Sequence, residues 1–110
     1  LPILRNIRVL VLNYTGLKWT QVELLKDRLP SIEELHLMGN EISEITPTSS
    51  KFVEGFSTLR VLNLEENQLS EWGEIVKLSE LTSLEQLHLN RNNLSQVFYP
   101  TSDSTVISFT

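Results

Sequence analysis

The stretch that decides the fold is Leu59-Arg60-Val61-Leu62-Asn63-Leu64-Glu65-Glu66-Asn67-Gln68-Leu69. Apolar side chains fall at Leu59, Leu62, Leu64 and Leu69, with Asn67 just before the last. From Val61 to Glu65 the pattern alternates as a half-buried strand requires. Leu62 and Leu64 then point to one face, and Val61, Asn63 and Glu65 to the other. Asn67 is polar within an apolar frame. A buried amide must be hydrogen-bonded, so Asn67 is expected to satisfy backbone groups where the chain turns off the strand.

The frame recurs at Ile7, Leu10, Leu12, Thr15 and Leu17, at Ile32, Leu35, Leu37, Asn40 and Ile42, and at Leu84, Leu87, Leu89, Asn92 and Leu94. Ile32 follows Ile7 by 25 residues, Leu59 follows Ile32 by 27, and Leu84 follows Leu59 by 25. Four copies in register exclude chance. L-x-x-L-x-L-x-x-N-x-L is the frame of a leucine-rich repeat. Thr15 replaces the Asn in one copy, and a hydroxyl can do only part of the amide's bonding. The expected fold is an α/β leucine-rich repeat solenoid. Its curved parallel sheet lies on the concave face, with short helices on the convex face. Residues 1–110 read as a single domain fragment with repeat cores 7–17, 32–42, 59–69 and 84–94.

Composition narrows the function. The 110 residues are 40% apolar and 21% charged, which is globular, and the formal net charge is −5. No basic stripe is visible, which disfavours nucleic acid as a partner. The absence of cysteine removes a disulfide framework, a thiolate metal site and a Cys nucleophile together. Extracellular leucine-rich domains are commonly closed by disulfide-bonded caps, so the composition leans cytosolic. No apolar run approaches a membrane span. Neither end reads as a polar cap: Leu1, Ile3 and Leu4 resemble the tail of a preceding repeat, and Val106, Ile107 and Phe109 the approach to a following strand. Further repeats are expected on both sides.

Between strands the pattern turns helical. Trp19 to Leu29 is expected to be a helix, capped by a Thr20/Glu23 box, with Val22, Leu25 and Leu29 on its buried face, Leu24 alongside, and Pro30 as its stop. Residues 43–50, with Pro47 inside, read as a polar, mobile loop that accounts for the longer spacing. Phe52, Val53 and Phe56 should pack on the convex side. A second helix is expected over Trp72–Leu81, with Ser70 as cap and Ile75, Leu78 and Leu81 as its stripe. Phe98, Tyr99 and Pro100 read as a convex turn, followed by a loop. Trp19 and Trp72 either fill space between convex helices or anchor a partner on the outer face.

With the frame leucines assigned to the core, the strands' outward face is left for recognition. In order it carries Val9, Val11 and Asn13; Glu34, His36 and Met38; Val61, Asn63 and Glu65; Gln86, His88 and Asn90. Tyr14, Gly39, Glu66 and Arg91 follow at the rim. The candidate partner-binding residues are Val11, Asn13, Tyr14, Glu34, His36, Met38, Asn63, Glu65, His88, Asn90 and Arg91. Val9 and Val11 make the first strand apolar on both faces, either because a neighbouring segment covers it or because it bears an exposed patch. His36 and His88 should stand about 10 Å apart with Asn63 between them, which offers no third metal ligand. The four glycines make no phosphate loop, and there is no nucleophile elbow. No catalytic residue, metal, cofactor or small-molecule substrate is expected. Two Asn-x-Ser/Thr triplets, at Asn13 and Asn93, are at background frequency.

Arg8-Val9-Leu10-Val11-Leu12-Asn13-Tyr14-Thr15-Gly16-Leu17-Lys18-Trp19, followed by Ile32-Glu33-Glu34-Leu35-His36-Leu37-Met38-Gly39-Asn40, resembles the leucine-rich region of the tubulin-folding cofactor E family and its E-like relatives. The Thr15 departure belongs to that pattern. Asn67 to Ile75 resembles a second such segment, and the likeness covers about residues 4 to 97. It implies a longer parent with a Gly-rich microtubule-type domain before the repeats and a ubiquitin-like domain after them. It also implies a cytoplasmic, cytoskeleton-associated chaperone acting on α-tubulin in heterodimer assembly and dissociation, with other tubulin-folding cofactors as partners. It supplies no catalytic residue. The alternative is an intracellular leucine-rich adaptor or regulatory subunit that binds another protein.

Overall fold

A computed structural model describes residues 2–48, 50–95 and 106–108. Five strands, β1 (Val9–Val11), β2 (Glu34–His36), β3 (Val61–Asn63), β4 (Gln86–His88) and β5 (Val106–Ser108), form one parallel sheet in sequence order. The register follows the sequence frame. Leu10 lies opposite Leu35, Leu35 opposite Leu62, and Leu62 opposite Leu87. Each strand spans only three residues, but backbone pairing continues beyond it. Leu12 and Tyr14 donate to the His36 and Met38 carbonyls, and Leu37 and Gly39 to those of Asn63 and Glu65.

The frame side chains face inward. Ile32, Leu35, Leu37, Ile42, Leu62, Leu64 and Leu69 are fully buried, each contributing roughly 1.5–3 kcal/mol. At the ends of the described array the frame is less complete: Ile7, Leu10, Leu12, Leu17, Leu84 and Leu94 are only partly buried. β1 has a neighbour on one side only.

The frame asparagines act as bolts between successive repeats. The Asn40 side chain accepts from the Thr15 and Leu17 amides and donates to the Leu12 and Leu37 carbonyls. Asn67 accepts from the Ile42 amide and donates to the carbonyls of Leu37, Leu64 and Glu65. Asn92 repeats the pattern with Leu69, Leu64 and Leu89. Thr15, in the equivalent place, keeps one of these bonds, from its hydroxyl to the Leu12 carbonyl at 2.7 Å.

The helices are shorter than the sequence suggests. α1 covers Trp19–Leu25 rather than reaching Leu29. The chain then tightens into turns, with Arg28 N–H donating to the Leu25 carbonyl, which lets Leu29 and Ile32 both enter the core. The expected Thr20/Glu23 box is replaced by one starting at Lys18, whose amide donates to Gln21 Oε1. The reason is Trp19. Its indole is buried, 1% exposed, and its N–H donates to Glu23 Oε2, which draws Glu23 inward. Leu24 turns out to solvent instead of packing. α2 spans Trp72–Val76 and is preceded by Glu71, not Ser70, at the cap; Ile75, Leu78 and Leu81 form the expected stripe. Trp19 therefore fills space, while Trp72 is half-buried and donates to the Ser95 carbonyl. Residues 98–105 lie outside the described residues.

Among its described residues the second repeat has no helix, and its described loop residues are held in place, contrary to the expectation of a mobile loop. Ile45 is fully buried. Glu23 of α1 accepts from the Thr48 amide and hydroxyl and from Lys26, while Glu74 of α2 accepts from the Ile45 amide and from Lys77. Val53 and Phe56 close the layer. Burial pushes the Glu23 carboxyl up, but the bonds from Thr48, Lys26 and Trp19 outweigh it and hold the group below the ordinary glutamate range. A carboxyl depressed in the folded state stabilises above its unfolded pKa, and that stabilisation is lost as pH falls through the folded value. Glu23→Gln is therefore expected to cost about 2 kcal/mol near neutrality and less at about pH 3. Urea melts at the two pH values check this, and an equal cost at both would refute the charge-based account.

Candidate functional site: the open face of the sheet

Helices and loops cover one face of the sheet and leave the other open. Register arranges its side chains in rows. Val9, Glu34, Val61 and Gln86 form one row, and Val11, His36, Asn63 and His88 the next. The continuing backbone ladder carries Asn13, Met38, Glu65 and Asn90 into a third. Val9, Val11 and Tyr14 are exposed, at 52%, 56% and 64%, so the patch reading of β1 holds among the described residues.

The rim column shares an unusual backbone. Tyr14, Gly39, Glu66 and Arg91 all have positive φ, between 54° and 69°, where the chain turns off each strand. Only Gly39 is the residue this conformation favours. Its neighbours explain it: a Cβ there would lie 2.1 Å from the Tyr14 ring. The ring crosses that gap so that the Tyr14 hydroxyl donates to Glu66 Oε2 at 2.9 Å, and Glu66 is also 3.7 Å from Arg91. Gly39→Ala should displace the ring and lose about 1–3 kcal/mol. Adding Tyr14→Ser should remove the part of the penalty due to the ring and leave the part due to the backbone angle. Chemical melts of the single and double variants test this; unchanged loss in the double variant would make the backbone angle, not the ring, the cause.

The other candidates divide into engaged and available groups. Asn63 belongs to the open face by register, yet it is buried between the histidine columns and accepts from the Glu65 amide. Asn13 accepts from the Met38 amide. His36 lies 3.5 Å from Glu34, and His88 lies 4.0 Å from Glu65 and 3.3 Å from Gln86. The histidines thus address their own carboxylates rather than each other. Among the described residues no group of three or more His, Cys, Asp or Glu could hold a metal ion.

A feature not anticipated from the sequence borders these rows. Arg8, Glu33, Arg60 and Glu85 occupy one frame position and alternate in charge. Arg8 and Arg60 both approach Glu33, and Arg60 also pairs with Glu85, holding that carboxyl below its ordinary range. The signal was present one residue after each first anchor and becomes visible only when the repeats are aligned as columns.

This column architecture has counterparts elsewhere. Residues 3–109 match the family described as the NXF1/2/3/5 leucine-rich repeat domain. The chain belongs to this leucine-rich repeat family. It is also 62% identical over 98 residues to an Arabidopsis thaliana protein named tubulin-folding cofactor E, covering 89% of this chain and 18% of that protein. Human tubulin-specific chaperone E is 33% identical over 94 residues, 86% of this chain and 17% of the relative. A human tubulin-specific chaperone cofactor E-like protein is 33% identical over 96 residues, covering 86% and 22%. These relatives bear the names to which the 8–19 run led. The leucine-rich repeat chain spans about a fifth of their length. Among the described residues no helix is long and apolar enough to cross a membrane.

Proposed function

We propose that the chain is the protein-binding leucine-rich repeat module of a cytoplasmic, cytoskeleton-associated tubulin-folding chaperone. It serves binding rather than catalysis. Its client is α-tubulin, handled during heterodimer assembly or dissociation together with other tubulin-folding cofactors. The observation that carries this reading is the 62% identity over 98 residues to a protein named tubulin-folding cofactor E. The open face supports it. Val11, Asn13, Tyr14, Glu34, His36, Met38, Glu65, His88, Asn90 and Arg91 line the concave side of a curved solenoid, with Asn63 beneath them as a support. The four repeat cores form one continuous module of a longer protein.

The test is a pull-down of purified α/β-tubulin by the chain. Wild type is compared with Glu34→Lys/Glu65→Lys on the open face and with Leu24→Asp on the exposed side of α1. Binding that survives Leu24→Asp and is lost in the charge swap is the expected result. A well-folded chain that captures no tubulin would refute the reading.

A further inference from the structure

The open-face carboxylates differ in how they are neutralised. Glu66 pairs with Arg91, and the bordering Glu33 and Glu85 pair with arginines. Glu34 and Glu65 instead have His36 and His88 within ion-pair distance, which carry charge only when protonated. Their side chains remain 43% and 22% accessible. Arg60 feels the Glu34 charge but forms its ion pairs with Glu33 and Glu85. Among the described residues these two accessible carboxylates thus have no arginine or lysine in ion-pair contact. Around Glu34 the surface is apolar: Val9 and Val61 are its partners on the neighbouring strands, and the exposed Val11 follows on β1.

Building on the proposed function, we infer that this face takes an extended client segment with basic side chains four residues apart and an apolar side chain two residues before the first, on the same side of the segment. The spacing comes from the sheet. Glu34 and Glu65 are one strand and four positions apart, or about 14 Å, from roughly 4.8 Å between strands and 3.3 Å per residue. Four residues of extended chain span about 13 Å. A lysine or arginine at each end meets a carboxylate, and the apolar residue rests on Val9 and Val11. The pairing sets specificity and orientation more than raw affinity.

The test uses a fluorescein-labelled nonapeptide with Lys at positions three and seven and Leu at position one, and its counterpart with Glu for Lys. Anisotropy titrations compare wild type, Glu34→Lys/Glu65→Lys, and Glu44→Lys/Glu80→Lys, which changes net charge equally at exposed sites away from the open face. The lysine peptide should bind wild type, weaken about tenfold in the open-face variant and change less than about twofold in the control. Equal binding of the acidic peptide, equal loss in both variants, or no binding of the lysine peptide would overturn the inference. Face-specific binding of this peptide by a chain that captures no tubulin would uphold the basic-segment inference and reject tubulin as the client. Tubulin captured undiminished by Glu34→Lys/Glu65→Lys would do the reverse.

Discussion

Leu62→Asp should abolish the cooperative unfolding transition. Leu62 is the middle residue of β3, fully buried, with Leu35 and Leu87 opposite it on either side. An aspartate there must place a carboxylate among leucines with no cation to meet it, or protonate and still leave its polar atoms unpaired. The penalty is several kcal/mol, on top of roughly 2–5 kcal/mol for the lost packing. Together these match or exceed the roughly 5–15 kcal/mol that holds an ordinary domain folded. Far-UV circular dichroism during heating measures the outcome. A sigmoidal melt near the wild-type temperature would show that Leu62 does not lie between the repeats.

Asn67→Ala is expected to be the second most damaging change, although it removes no apolar contact. The amide is 5% exposed and joins two repeats through the Ile42 N–H and the Leu37, Leu64 and Glu65 carbonyls, at 3.0 to 3.1 Å. Alanine leaves the Ile42 N–H unmet, at about 1–3 kcal/mol, and takes one bond from each carbonyl, of which Leu37 keeps Asn40, Leu64 keeps Asn92 and Glu65 keeps the Gly39 amide, at about 0.5–1.5 kcal/mol per lost bond. A total loss of about 3–5 kcal/mol follows if neighbouring groups relax partly. Asn67→Thr offers an internal comparison, because Thr15 shows which share of the bonding a hydroxyl retains. Threonine should recover about 1 kcal/mol of the loss. Urea denaturation of the three proteins separates these cases. Equal stability of the alanine and threonine variants would mean that the hydroxyl cannot reach the carbonyl in this repeat.

The period was legible in the sequence because a leucine-rich repeat writes its geometry directly into spacing. The anchors Ile7, Ile32, Leu59 and Leu84 gave the strands, their register and the duty of Asn67. What was not legible depended on where one large side chain goes. The pattern Thr20-x-x-Glu23 satisfies every local rule for a helix start, but burying Trp19 begins the helix earlier and commits Glu23 to the indole. Residues 43–48 look like solvent-exposed chain by composition. Their order comes from Glu23 and Glu74, each 25 or more residues away, which no local window contains. On the open face, sequence alternation assigned Asn63 outward correctly but could not show that the side chains beside it would bury it.

The two glutamates that grip residues 45–48 also determine how the array comes apart. A repeat protein is commonly a chain of nearest-neighbour couplings in which each unit adds stability of its own. Among the described residues the unit between β2 and β3 contributes no helix to that sum, and its outer layer is ordered by hydrogen bonds arriving from the units before and after it. It cannot melt last, and neither neighbour can melt without loosening it. A piece centred on this unit is therefore expected to need both neighbouring repeats to keep residues 45–48 ordered.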